Sequence, residues 1–440
     1  MRHCRLGVVT AVASLLLAGG TAAAAPAAAA ATTTRVSVGS AEQQGNGFSV
    51  GAAVSSGGRY VAFASEASNL VAGDSNGVAD VFVRDRLAGT TRRVSVGPSG
   101  QQANDASGFR PTISANGRYV AFASFASNLV PGDVNGVGDV FVRDLVAGTT
   151  RLVSVGLGGP GDNGSFEPAI SADGRHVAFS SAARNLVPGD TNEVADLFVH
   201  DLLAGMTSRV SVGPSGREAN GRSTEPAISA DGAVVAFASE ASNLVAGDSN
   251  GMFDVFVRDR LAGTTRRVSV GPGGRQANGN SSAPALSADG RFVAFNSEAS
   301  NLVTGDTGFV DVFVRDRATG TTRRISVARG GGQANGLSAS PSLSADGRFV
   351  AFTSEASNLV AGDSNGQTDV FVRDRVAGVT RRVSVGPGGR QANGASSGAS
   401  ISANGRHVGF ESSATNLVPG DTNGQTDVFV HDQFGDVATR

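Results

Sequence analysis

The sequence predicts an all-β chain folded as a seven-bladed β-propeller of four-stranded antiparallel blades, the last closed by the N-terminal strand. Three observations predict it. A unit of 57 to 59 residues recurs seven times, each unit carries four short strand-like segments, and the piece missing from the last unit stands ahead of the first.

The repeat comes first. Val-Ser-Val-Gly begins at Val36, Val94, Val153, Val210, Val268 and Val383, and Ile325 opens the variant Ile-Ser-Val-Ala. Residues 32–440 are nearly all repeat, so they read as one propeller domain behind a leader of residues 1–31. In the second unit the strand-like segments are Pro111–Ser114, Arg118–Ser124, Asp139–Asp144 and Thr150–Val155, here called a, b, c and d. They are rich in the Val, Ile, Phe and Thr that strands favour. Ala115-Asn116-Gly117 joins a to b as a tight turn, and a short loop with Gly148 joins c to d. No segment sustains a helical period. A parallel β-helix would use shorter rungs, and leucine-rich repeats would need a helix or 3₁₀ turn.

The ends predict closure. The chain stops at Thr439-Arg440, where strand d of the seventh unit is due, and Thr33–Val38 has the sequence of that strand. A linear array would end in capping repeats. A ring zipped in this way leaves no open edge to aggregate.

Arg2, His3 and Arg5, an apolar run from Leu6 to about Gly19, and an Ala-rich stretch with Ala-x-Ala options predict a secretory signal cut within residues 25–31. The single cysteine, Cys4, precedes the apolar run, so a lipid anchor is not expected and the mature chain has no thiol. No later run of ~18 apolar residues suggests a membrane span. The expectation is an exported, extracellular or envelope protein, monomeric. There are 36 basic residues, all Arg, against 38 acidic ones. This balance lacks the electrostatic footprint of a nucleic-acid binder. A 40% hydrophobic share supports a folded chain.

The run Ser-Ala-Asp-Gly-Arg-Phe-Val-Ala-Phe at Ser287–Phe295, followed by Asp311-Val312-Phe313-Val314, resembles the TolB-type, WD-like propeller repeat. The other units carry versions of it over about residues 33–440, with unit one departing at Ser55-Ser56-Gly57-Gly58. The resemblance implies the propeller fold. TolB itself has six blades, an added N-terminal domain and a role in an envelope complex, and similar repeats serve as binding platforms and accessory domains of secreted hydrolases.

The short a–b and c–d turns share one face, and the long b–c loops and d–a crossovers share the other. On that long-loop face the motif Asp-x-Asn-Gly-x-x-Asp occurs at Asp74/Asn76/Asp80, Asp133/Asn135/Asp139, Asp248/Asn250/Asp254, Asp363/Asn365/Asp369 and Asp421/Asn423/Asp427. Hard cations such as Ca²⁺ take several oxygens at once, and a Gly-containing turn can converge them. The motif therefore reads either as a shortened Ca²⁺ loop or as an Asx turn capping its own backbone, two compatible readings. No other cofactor is expected. The Arg-Asp pairs Arg84-Asp85, Arg143-Asp144, Arg258-Asp259, Arg315-Asp316 and Arg373-Asp374 read as blade-to-blade links and turn anchors. His176, His200, His407 and His431 replace Tyr, Phe or Arg of other units and read as surface substitutions, without zinc spacing. Gly394–Gly398 fits Gly-x-Ser-x-Gly by chance, lacking the strand-to-helix context.

No acid, base or nucleophile stands out from the repetition. The expected function is therefore a non-enzymatic secreted scaffold that meets a protein, glycan or wall ligand through the long-loop face. One alternative is a lyase or hydrolase with a site in the central channel, which would need groups such as Glu167, Glu225 or histidines to converge there. The other is a TolB-like envelope assembly role.

Overall fold

A computed structural model describes residues 31–108, 110–156 and 158–434. All of the expected leader except Ala31 lies outside the described residues.

Six residues suffice for each long strand. In blade 1, strands a (Ser49–Val54), b (Tyr60–Ser65), c (Asp80–Asp85) and d (Thr90–Arg93) form one antiparallel sheet. Six further four-stranded sheets repeat the arrangement. Strands b and c read Tyr-Val-Ala-Phe-Ala-Ser and Asp-Val-Phe-Val-Arg-Asp, and both faces of each are buried. Phe63 lies directly opposite Phe82, their rings 5.9 Å apart. Blade 1 turns these two rings toward Val428 and Val430 of blade 7. Its other face offers Ala62, Val81 and Val83 to Phe122 and Phe141 of blade 2. A bulky aromatic pair thus meets a surface of small and β-branched side chains at each blade junction, and the hydrophobic core is seven such seams.

Closure is as expected. Thr32–Arg35 forms the outer strand of blade 7, pairing Thr32 with Asp432 and Arg35 with Phe429. The Val36 N–H continues the ladder to the Val428 carbonyl at 2.7 Å. The Thr33 hydroxyl also bonds the Val385 carbonyl of the preceding blade at 2.6 Å. Thr150, Thr265 and Thr322 make the same blade-to-blade bond to Val96, Val212 and Val270.

In blade 2 strand b opens one residue late, at Tyr119, and two other strands differ further from expectation. In blade 2 strand a is only Thr112–Ile113, and strand d is Thr149–Leu152. Strand d ends early because the Ser154 hydroxyl turns inward to Asp139 while Val155-Gly156 pairs with Gly159-Pro160. The turn glycines do more than turn. Gly117 has φ 74°, and a Cβ there would come within 2.1 Å of the Tyr60 ring of the previous blade. Among the described residues no helix is long and apolar enough to cross a membrane.

Two outcomes follow from these seams. Phe82→Ala should destabilise the protein by about 4 kcal/mol in denaturant unfolding, since a fully buried ring is lost from a packed junction. His431, facing the closing strand with Nδ1 2.9 Å from the Thr33 hydroxyl, has its pKa pushed down to about 4 by burial, partly offset by Asp432. Unfolding lets this imidazole take a proton near its ordinary value, so its stabilising contribution is present above about pH 6.5 and is lost as pH falls toward 4. Melting curves between pH 7 and pH ~4.5 should therefore fall more for the wild type than for His431→Gln. Equal slopes would remove this assignment.

Candidate functional site

The seven strands a line the central channel, and six of them carry the same irregularity. The register with strand b slips between Val50 and Ala53, and at the matching place in five other blades. The residue at that place is left-handed in all seven blades: Gly51, Arg110, Glu167, Glu225, Ala283, Ser340 and Gly398 have φ between 49° and 70°. Five of these are not glycine, at a cost of about 1–2 kcal/mol each. Pro111, Pro168, Pro226, Pro284 and Pro341 follow those five.

This bulge turns a backbone N–H toward the neighbouring blade. The Glu167 carboxylate accepts the Glu225 N–H at 2.8 Å, and the Glu225 carboxylate accepts the Ala283 N–H at 2.7 Å. Glu411, from strand b of blade 7, accepts the Gly51 N–H at 2.9 Å and the Ser397 hydroxyl at 3.0 Å. All these residues and Arg110 line one cavity of about 650 Å³. The ring is not sevenfold. Arg110, Glu167 and Glu225 stand on three consecutive blades, while the remaining bulge positions are Gly, Ala or Ser. Each of the two glutamates spends Oε2 on a backbone N–H, which fixes the side chain and leaves Oε1 as an acceptor. An exposed arginine and two oriented carboxylates on the wall of one cavity can bind an anionic group and move a proton.

The sequence named Glu167 and Glu225 only as groups that a channel site would need, and it singled out neither Arg110 nor Glu411. The signal was present in the residue before the strand-a proline, which changes from Arg to Glu, Glu, Ala and Ser while its surroundings repeat.

The histidines do not join the channel cavity. His200 and His431 are buried rather than at the surface, and His200 Nδ1 lies 2.9 Å from the Thr207 hydroxyl. His176 sits against Gly232 of the next blade and 3.6 Å from Asp201. The Asp of four of the five Arg-Asp pairs has its ion partner within the blade: Arg59, Arg118, Arg291 and Arg348 each hold Asp85, Asp144, Asp316 and Asp374 in turn at 2.7 Å, while Ala233 stands at that arginine position in the blade of Asp259. Asp85 also accepts the Leu87 and Ala88 N–H groups, which makes it a turn anchor. The Arg59 guanidinium and these bonds hold its carboxyl down at about 2.

The Asp-x-Asn-Gly-x-x-Asp loops show one recurring arrangement. Asn76 donates to Asp80 at 2.8 Å and accepts the Val78 N–H, an Asx turn, and Asn250, Asn365 and Asn423 do the same. Between the two carboxylates lies a guanidinium from strand d. Arg93 reaches Asp74 at 3.0 Å and Asp80 at 3.4 Å. Arg267 bridges Asp248 and Asp254, Arg382 bridges Asp363 and Asp369, and Arg35 bridges Asp421 and Asp427. In these four loops a side-chain cation occupies the place a metal would take. Blade 3 adds an acid: Asp190, Asp196 and Glu218 bring ligand oxygens within 4.8 Å of one another, with Arg209 among them, 2.6 Å from Glu218. In blade 2, Asp133/Asn135/Asp139 keeps the turn, but Leu152 stands at the arginine position. Burial, and then Asp139, push the Asp133 pKa up to about 6.

No protein-family model matches the chain, and no curated protein matches it. Solved structures do. Oligogalacturonate lyase from Vibrio parahaemolyticus is 14% identical, with 91% of this chain and 93% of that one aligned and a TM-score of 0.53. An oligogalacturonate lyase complexed with manganese is 13% identical, with 92% and 94% covered and a TM-score of 0.55. Acylaminoacyl peptidase from Pyrococcus horikoshii is 12% identical, with 89% of this chain and 52% of that one covered and a TM-score of 0.52. TolB from Acinetobacter baumannii is also among the matches, at 15% identity, 86% and 82% coverage and a TM-score of 0.40. At these identities the likeness is one of fold, and the fold is the β-propeller that the TolB-type repeat implied.

The expectation of a non-enzymatic scaffold is corrected. It rested on uniform repetition, whereas the channel holds a non-repeating Arg110, Glu167, Glu225 and Glu411, and the matched propellers include a lyase and a peptidase.

Removing the built-in cation should be severe. Arg267→Leu would leave Asp248 and the fully buried Asp254 without their counter-charge, and chemical denaturation should register a loss of about 3 kcal/mol. A loss below about 1 kcal/mol would mean that the pair is solvated like a surface bridge.

Proposed function

We propose that this chain is a lyase or hydrolase that works in its central channel on a carboxylate-bearing oligosaccharide. The observation that carries this reading is the run of Arg110, Glu167 and Glu225 on consecutive blades, in a ring otherwise made of small residues. A cavity of about 650 Å³ is in the range that small ligands fill.

In the elimination form, Arg110 pairs with the sugar carboxylate. One glutamate, through its Oε1, takes the proton from the carbon next to that carboxylate. The charge that spreads onto the carboxylate is met by the guanidinium. The carbon–oxygen bond to the neighbouring sugar breaks as the ring double bond forms, and the departing oxygen takes its proton from a water held by the second glutamate. In the hydrolytic form the same two carboxyl groups would serve as acid and base toward water. The fold shared with oligogalacturonate lyases supports this choice of substrate class. The basic and apolar character of residues 1–31 supports export to where such polymers lie.

The test is turnover on oligogalacturonates and other oligouronates, read as ultraviolet absorbance of the unsaturated product and as reducing ends for hydrolysis. Glu167→Gln and Glu225→Gln should each lower kcat/KM by ~100-fold or more, and Arg110→Met should chiefly weaken substrates that carry the carboxylate. Undiminished turnover in the Glu167→Gln/Glu225→Gln double variant would overturn the assignment, as would no turnover on either readout.

A further inference from the structure

Every blade buries the same pair of carboxylates beneath its b–c loop, and six of the seven neutralise it with an arginine from strand d. These are Arg35, Arg93, Arg209, Arg267, Arg324 and Arg382, each within 3.5 Å of the second aspartate of its pair. Blade 2 is the exception. Leu152 pairs with Phe141 in the register that places Arg93 opposite Phe82 and Arg209 opposite Phe198. The substitution is doubled in the crossover. Gln44, Gln276, Gln333 and Gln391 donate to these aspartates in their blades. By the bridge that pairs Val270 with Gln276 and Val155 with Pro160, the corresponding residue in blade 2 is Pro160, which has no donor.

The acids nonetheless remain, and remain buried. Asp133 is 7% exposed and Asp139 is 0% exposed. Asp139 accepts the Asn135 amide at 2.6 Å and the Ser154 hydroxyl. Among the described residues Asp133 has no side-chain donor, only the Asn135 backbone N–H. Two carboxylates taken out of water without a cation are strongly unfavourable. The same geometry in six sister blades shows what the place holds: a positive charge.

We infer that blade 2 binds a divalent metal ion of the Ca²⁺ type between Asp133 and Asp139, in the place of the missing guanidinium. The available donors are all oxygen. In blades 3 and 4 the arginine also touches a loop carbonyl, that of Gly189 at 3.0 Å and of Gly247 at 3.4 Å, and the residue in that position in blade 2 is Gly132. Two carboxylates, one carbonyl and water suit a hard cation and disfavour softer ones. The inference narrows the five-loop expectation to one loop, chosen because its built-in cation is absent. It does not depend on the channel chemistry.

Calorimetric titration of the chelator-treated full chain with CaCl₂ should show one equivalent of binding, and the melting temperature should rise by several degrees at millimolar Ca²⁺. Leu152→Arg should abolish that binding and raise the metal-free melting temperature by itself. Asp133→Asn should also abolish binding. Glu218→Gln, in the acidic cluster of blade 3, should leave it unchanged. No heat and an unchanged melting curve with Ca²⁺, Mg²⁺ and Mn²⁺ would overturn the inference. Wild-type binding by Asp133→Asn would do so too, and that variant decides the matter if Leu152→Arg fails to fold.

Discussion

The fold depends on one contact repeated around a circle, the stacked phenylalanine pair of one blade against the alanine and valine surface of the next. Phe63 and Phe82 on one face, and Ala62, Val81 and Val83 on the other, make each blade thick on one side and thin on its reverse. Both faces of strands b and c are spoken for, so an isolated blade would leave half its apolar surface in water. Stability therefore belongs to the ring rather than to a single sheet. The strand-d threonines, by bonding the carbonyls of the preceding blade, add a polar tie along the same junctions.

Repetition made the architecture legible and the site nearly invisible. The Val-Ser-Val-Gly starts, the Asn-Gly turn after strand a and the Thr33–Val38 fragment all report local strand and turn chemistry, and the sheets and their closure follow from them. Glu167 and Glu225 could be named only as what a channel site would need, and Arg110 and Glu411 escape such reading because they do not belong to the pattern. Arg110, Glu167 and Glu225 lie one residue before a proline, on or just ahead of a strand that otherwise reads as routine, and their direction depends on a left-handed backbone that no strand periodicity announces. The Asx-turn half of the loop motif was visible in the spacing of Asp, Asn and Gly. Its electrostatic half was not, because the arginine between the carboxylates comes from another strand, some 13 residues beyond the second aspartate.

Departures from the repeat are the informative positions. Where Leu152 replaces an arginine and Pro160 a glutamine, a buried charge loses its partner. Where glutamate replaces serine or alanine in the channel, a backbone N–H gains an acceptor and the cavity gains an acid. The same scaffold position thus changes from structural filler to chemistry by one side chain, with the backbone conformation held in common.

The zipper at the seam also sets an order of events at the ribosome and beyond. Thr33 finds His431 and Val385 across separations of 398 and 352 residues, so its outer strand has no partner until nearly the whole chain has emerged. Until Asp427–Asp432 has been made, Thr32–Arg35 is a strand without a sheet, so the seventh blade, and with it the ring, is the last to close.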